Sequence, residues 1–206
     1  MIRLEPTNPK RYNDRGAIYL AKGDRDRAIA DYDQAIRLDP TYATAYFNRA
    51  YAYHLRGDHD RAVAGYDEAI RLDPDNANAF YNRGLIRYKG NRDGAIADFD
   101  RAIELNPGHA AAFFGRGNAY YAKGGRDRAV ADFNEAIRLD PKFAAAFLSR
   151  GIAYRAKFDN ERAIADFSEA IRLDPKIVAT RTTPRVTTTA RSRTTTRQSG
   201  LIRNLP

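Results

Sequence analysis

The sequence predicts an all-α solenoid of helix–turn–helix repeats, and three observations carry that expectation. The text running from Arg126 to Pro141 recurs with small changes, its copies closing on Pro40, Pro74, Pro107 and Pro175. Within each copy, small and apolar residues fall three and four apart, the period of one helical face. Glycine-containing pairs such as Gly23-Asp24, Gly57-Asp58 and Gly124-Gly125 separate a copy from another helical stretch before it. A period of about 34 residues means one supersecondary unit stacked on copies of itself, each burying its apolar face only against its neighbours.

Measured by that period, five units run over residues 9–42, 43–76, 77–109, 110–143 and 144–177, the third one residue short. Residues 1–8 read as the end of an earlier repeat, because Ile2-Arg3-Leu4-Glu5-Pro6 copies Ile36-Arg37-Leu38-Asp39-Pro40 in kind. In the fourth unit, Phe113, Arg116, Gly117 and Tyr120 make the buried stripe of a first helix, A, ending near Gly124. Aspartate after the glycine, as at Asp24 and Asp58, suits the cap of the second helix, B. Helix B carries Ala129, Phe133, Ala136 and Ile137 and stops before Pro141, whose ring disfavours helical backbone in the preceding residue. Asp33/Arg37 and Asp67/Arg71 stand four apart, acid first, as surface pairs worth about 0.3–0.5 kcal/mol each.

Small residues on helix A, Gly117 or Ala50, are expected to face Ala129 or Ala62 on helix B. The rings of Tyr32, Tyr66, Phe99, Phe133 and Phe167 are expected to fill the seam to the following unit.

These residues resemble the tetratricopeptide repeat. The second unit shows Tyr46, Ala50, Tyr53, Ala62, Tyr66, Ala69 and Pro74, and the fifth shows Phe147, Gly151, Tyr154, Ala163, Phe167, Ala170 and Pro175. The resemblance covers residues 9–177. It implies a right-handed superhelix whose A helices line a concave groove that receives peptides, and a non-catalytic interaction scaffold. By that resemblance the groove stripe reads Phe47, Tyr51 and His54, then Tyr81, Leu85 and Tyr88, then Phe114, Asn118 and Tyr121, then Leu148, Ile152 and Arg155. An exposed apolar and aromatic band binds protein; the competing reading is that these rings pack one A helix on the next. Some family members hold a partner's terminal carboxylate with groove lysines and asparagines. Asn13, Asn48 and Asn82 supply the amide type, but the lysines are missing, so an extended or helical apolar segment fits better.

Two features depart from the family's pattern. Arg15, Arg49, Arg83, Arg116 and Arg150 stand where leucine is common. They read as a ladder whose stems pack and whose heads pair with helix B carboxylates such as Asp132 and Asp166, or else as an anion-reading row. In the third unit Ala95 follows Gly84 by eleven positions instead of twelve, placing Arg87 where the other units have tyrosine. Either helix A is shorter there or the turn through Gly90-Asn91 is tighter.

Cysteine is absent, which excludes disulfides and thiolate metal sites, and His54, His59 and His109 are scattered. No nucleophile motif, cofactor fingerprint or phosphate-cradling loop occurs, and the glycines around Gly115 and Gly117 follow no strand. No apolar run is long enough to span a membrane.

The net charge is +9, yet six arginines and no acid lie in residues 178–206, leaving +3 on the repeats, too even a balance for a phosphate-binding array. The Thr/Arg-rich tail reads as disordered. It is either a basic arm for nucleic acid or an acidic surface, or a frameshifted end, since Thr187–Ala190 matches an aromatic-asparagine-arginine repeat start displaced by one base. Neither end carries a polar capping helix, so end-to-end self-association is a further expectation, as is membership of a larger enzyme as its targeting module.

Overall fold

The computed structural model describes residues 7–177. The half repeat read at residues 1–8 lies almost wholly, and the tail read at 178–206 wholly, outside the described residues. Ten helices follow one another: α1 (Pro9–Ala21), α2 (Arg25–Leu38), α3 (Ala43–Arg56), α4 (His59–Leu72), α5 (Ala77–Arg87), α6 (Arg92–Leu105), α7 (Ala110–Ala122), α8 (Arg126–Leu139), α9 (Ala144–Ala156) and α10 (Asn160–Leu173). Among the described residues there is no strand, and no helix is long and apolar enough to cross a membrane. Each helix packs on its sequence neighbours, and the odd-numbered helices also touch one another while the even-numbered ones do not. The odd helices therefore occupy the inner, tighter radius of an all-α solenoid, and the even helices fan outward.

Local chemistry sets the helix ends. Asp24, Asp58, Asn91 and Asp159 each accept a hydrogen bond from a first-turn N–H of the following helix. Every even helix ends on leucine with the next residue extended, for instance Asp140 at φ −133°, the conformation that a following proline favours. The turns from odd to even helix use left-handed glycines at Gly23, Gly57 and Gly124, but the last uses Phe158 at φ 63°.

The shortened third repeat resolves at its helix. α5 has 11 residues, against 13 or 14 in the other odd helices. Arg87, at the position of Tyr19, Tyr53, Tyr120 and Tyr154, donates to buried Asp98 (3.1 Å). The arginines that stack on those tyrosines, Arg27, Arg61, Arg128 and Arg162, have Gly94 as their counterpart here. The cation has moved from the even helix to the odd one.

The core adds to the expectation and departs from it at several points. The atom nearest a Cβ at Gly117 belongs to the ring of Phe133, Cε1 at 2.7 Å. Gly16, Gly84 and Gly151 meet Tyr32, Phe99 and Phe167 in the same way, so the glycine admits the even helix's ring edge-on against the odd helix's backbone. Phe99 is also capped by Gly115 of α7, which joins one helix pair to the next. Tyr32, Tyr66, Phe99 and Phe133 are fully buried, whereas Phe167 is only partly so, because no following helix among the described residues covers it. Finally, the surface pairs Asp33/Arg37 and Asp67/Arg71 do not form. Arg37 and Arg71 bond Gln34 and Glu68, and the two aspartates serve the arginine ladder.

That ladder is structural. Arg116 donates through Nε and Nη2 to Asp132 (2.9 and 2.7 Å) on its own even helix, and through Nη1 to Asp100 (2.6 Å) on the preceding one. Arg83 repeats this with Asp98 and Asp67, and Arg150 with Asp166 and Asn134. Each guanidinium also lies over the aromatic ring three residues earlier, Phe113 in the case of Arg116 at 5.4 Å. The hydrogen bonds to Asp132 raise the pKa of Arg116 above its ordinary value despite partial burial. Such a pair fixes geometry more than it adds net stability, but removing one partner strands a buried charge.

The ladder breaks at Arg49. Gly65 stands where Asp31, Asp98, Asp132 and Asp166 supply the carboxylate, so Arg49 keeps only Asp33 (2.6 Å) and its buried Nε has no acceptor.

Candidate functional site

Because the odd helices form the inner radius, residues one step around from their packed stripe look into the concave face. There most of the sequence-derived band is half-buried. Phe47, Tyr81 and Phe114 sit half-buried in the seams. Phe47 packs on Tyr66 (centroids 5.8 Å), Tyr81 between Phe99 (6.0 Å) and His109 (4.7 Å), and Phe114 between Phe133 (5.9 Å) and Phe143 (4.8 Å). Their partners are even-helix rings and the residue just before the next odd helix. Leu85 is likewise half-buried, and so is Leu148.

Of the second and third members of the triplets, Tyr51 and Arg155 are exposed, and the others are half-buried like the first. Tyr51 is 37% exposed and has exposed Leu55 beside it, a residue the helical stripe does not single out. His54 packs edge-on against His59 (5.8 Å), so two histidines separated by a turn in sequence meet in space. Burial, with His59 and Lys89 nearby, lowers the pKa of His54, and its buried Nδ1 has no hydrogen-bond partner. Arg155 is exposed, its guanidinium 6.0 Å from the Phe167 ring.

Tyr88, Asn118, Tyr121 and Ile152 come together. With Ala122, Phe133 and buried Ser149 they line a pocket of about 300 Å³ between α5, α7 and α9. Its wall combines two phenol rings, one amide, one hydroxyl and an isoleucine, with no charged group, so it suits one large uncharged side chain. The helical stripe passes over Ser149, although it stands immediately before Arg150, as Asn48 and Asn82 stand before Arg49 and Arg83.

The three asparagines do not converge. Asn13 is one position out of step, aligned with Phe47 and not with Asn48; it is buried and accepts from Asn48 Nδ2 (2.9 Å), tying α1 to α3. Asn82 donates to the Asn78 carbonyl in its own helix (2.9 Å). Two of the three amides are thus spent on each other. Among the described residues no group of three or more His, Asp or Glu side chains could hold a metal ion.

A curved stack of helix pairs with an aromatic inner face defines a repeat scaffold. Family models described as "Tetratricopeptide repeat" match residues 13–77, 56–92 and 115–176, and one described as "TPR repeat" matches 87–124. The chain belongs to the tetratricopeptide repeat family. Comparison with curated proteins gives no match. Among solved structures the chain is similar to MamA at 28% identity, over 80% of this chain and 96% of that one, with a TM-score of 0.72. It is similar to YrrB, described as "a TPR protein with an unusual peptide-binding site", at 28% identity, over 81% and 87% of the two chains, with a TM-score of 0.69. MamA from Desulfovibrio magneticus RS-1, at 21% identity over 82% of this chain and 96% of that one, shares the fold with a TM-score of 0.74.

Proposed function

We propose that this protein is a non-catalytic scaffold whose concave groove binds a peptide segment of a partner protein, an apolar side chain of the segment entering the Tyr88–Asn118–Tyr121–Ser149–Ile152 pocket. The observation that carries this reading is the pocket itself, an uncharged, partly aromatic cavity on the inner face. The peptide-binding site described for YrrB supports the same class of ligand. Tyr51 and Leu55 extend the apolar surface on α3, while Asn13, Phe47, Tyr81 and Phe114 hold the odd helices in place beneath it.

The test is selection of binders from a displayed random-peptide library, followed by titration against the parent chain and a Tyr121→Ala/Ile152→Ser variant. Helical circular dichroism unchanged with affinity lowered about tenfold or more supports the reading. Selected peptides that bind parent and variant alike defeat it. A second reading, a further copy of the chain stacked on α10, is favoured by Ile164 and Ile171, 65% and 45% exposed on that helix. It predicts an Ile164→Lys-sensitive dimer in sedimentation velocity.

A further inference from the structure

A second, wider concavity lies outside the concave groove, at the edge where the odd-to-even turns meet. It encloses about 870 Å³ between the start of α6, the α7–α8 turn and the α9–α10 turn, and shares no lining residue with the inner pocket. Its floor includes Ile96, Tyr120 and Ala156, and Phe158 stands at its rim, 89% exposed.

Phe158 is out of place as a folding residue. It occupies the left-handed position (φ 63°) that Gly23, Gly57 and Gly124 take in the equivalent turns. A side chain there is disfavoured by Cβ–carbonyl contact, and the ring gains no burial in compensation.

The charges in the groove form a mosaic. Lys123 pairs with Asp93 and Lys157 with Asp127, so both lysines and both carboxylates are already matched. Among the described residues Arg126 and Arg128 have no carboxylate partner; Arg128 rests over the Tyr120 ring at 5.6 Å. What remains unmatched is two guanidiniums beside an exposed aromatic ring, a combination that recognises carboxylate and an apolar side chain together.

We propose that this turn-edge groove docks an acidic segment of a partner protein, its carboxylates pairing with Arg126 and Arg128 while an apolar side chain stacks on Phe158. A uniform polyanion fits less well, because the Asp93 and Asp127 carboxylates form part of the wall and would face its phosphates. An acidic–apolar alternation sets uncharged groups there. The surface is separate from the inner groove, so the two are separable by mutation.

The probe is a short fluorescein-labelled peptide alternating aspartate with phenylalanine, read by anisotropy against the full chain at low salt. Companion probes replace aspartate by asparagine, or phenylalanine by serine, and an oligothymidylate serves as competitor. Phe158→Gly copies the neighbouring turns and should melt no lower than the parent, so loss of binding in it is not loss of fold. The proposal expects binding weakened about tenfold by Phe158→Gly and by Arg126→Gln/Arg128→Gln, weakened by either peptide replacement, and unchanged by Tyr121→Ala. It is overturned if the acidic peptide does not bind, if Phe158→Gly binds like the parent, if only Tyr121→Ala matters, or if oligothymidylate displaces the peptide more effectively than unlabelled peptide does.

Discussion

The break in the arginine ladder at α3/α4 is a natural double substitution that can be reversed. Four helix pairs combine glycine on the odd helix with aspartate on the even one, at Gly16/Asp31, Gly84/Asp98, Gly117/Asp132 and Gly151/Asp166; the second has Ala50 and Gly65. The two positions share one space, since a Cβ at Gly65 would lie 2.8 Å from Ala50 Cβ. Gly65→Asp alone offers Arg49 its missing acceptor but drives that Cβ into Ala50, with overpacking of about 1–3 kcal/mol. Ala50→Gly alone removes a fully buried methyl and a good helix former, a loss of about 1–2 kcal/mol. Together they restore the arrangement of the other pairs. The buried Arg49 Nε gains a charge-assisted bond in place of an unsatisfied-donor penalty of about 1–3 kcal/mol. The double variant is therefore expected within about 1 kcal/mol of the parent, and more stable than the sum of the single changes by about 2 kcal/mol. Urea unfolding followed by circular dichroism, with amide exchange in α3 and α4, measures the cycle. Additivity within about 0.5 kcal/mol would refute the shared-space argument.

Three further outcomes follow from the same geometry. The hydroxyls of Tyr32 and Tyr66 are buried without a partner, and burial pushes the Tyr32 pKa up to about 12 and raises that of Tyr66 too. Tyr32→Phe and Tyr66→Phe, which copy Phe99 and Phe133, should each be neutral or stabilising by about 1 kcal/mol, and clear destabilisation in urea would contradict this. Arg116→Met leaves Asp132 buried without its guanidinium and should destabilise by about 3 kcal/mol while leaving affinity for groove peptides unchanged; a selective loss of an anionic ligand would revive the anion-reading row. Burial depresses the pKa of both His54 and His109, so the unfolded chain holds those protons more tightly. The stability they contribute is complete above the ordinary histidine value of about 6.5 and is lost as pH falls through the folded values. Melting temperature should drop from about pH 7.5 to about 5.5, and His54→Gln/His109→Gln should flatten the slope; an equally steep profile in that variant would remove histidine as the cause.

Much of the fold was legible because it is periodic. Proline at each repeat end, the turn residues such as Gly23-Asp24 and Gly57-Asp58, and the three-four spacing of small residues act locally, within a helix or at its end, and the helices lie where those signals put them. The ladder was legible as well, since Arg116 and Asp132 recur as a spaced pair. Less legible was which side chain meets which. Gly117 reads as a partner for a small residue on helix B, and the residue size alone does not announce that the ring of Phe133 lies nearest to it. Asn13 reads with Asn48 by type, yet stands one place away along the repeat and serves as its hydrogen-bond partner. The charge exchange between Arg87 and Gly94 becomes visible only because α5 stops early.

By itself, then, the sequence determined the helices, their order, their caps and the tetratricopeptide character of the chain, because each depends on residues close together along the chain. The tertiary structure decided how exposed the aromatic band is, since exposure depends on neighbours about 34 residues away on either side. Phe47, Tyr81 and Phe114 are half-buried in seams against rings of neighbouring elements, while Tyr51, on the same stripe as Phe47, is exposed. Only the curvature that brings odd helices together gathers Asn118 and Tyr121 of α7, Ser149 and Ile152 of α9, and Tyr88 just past the end of α5 around one pocket.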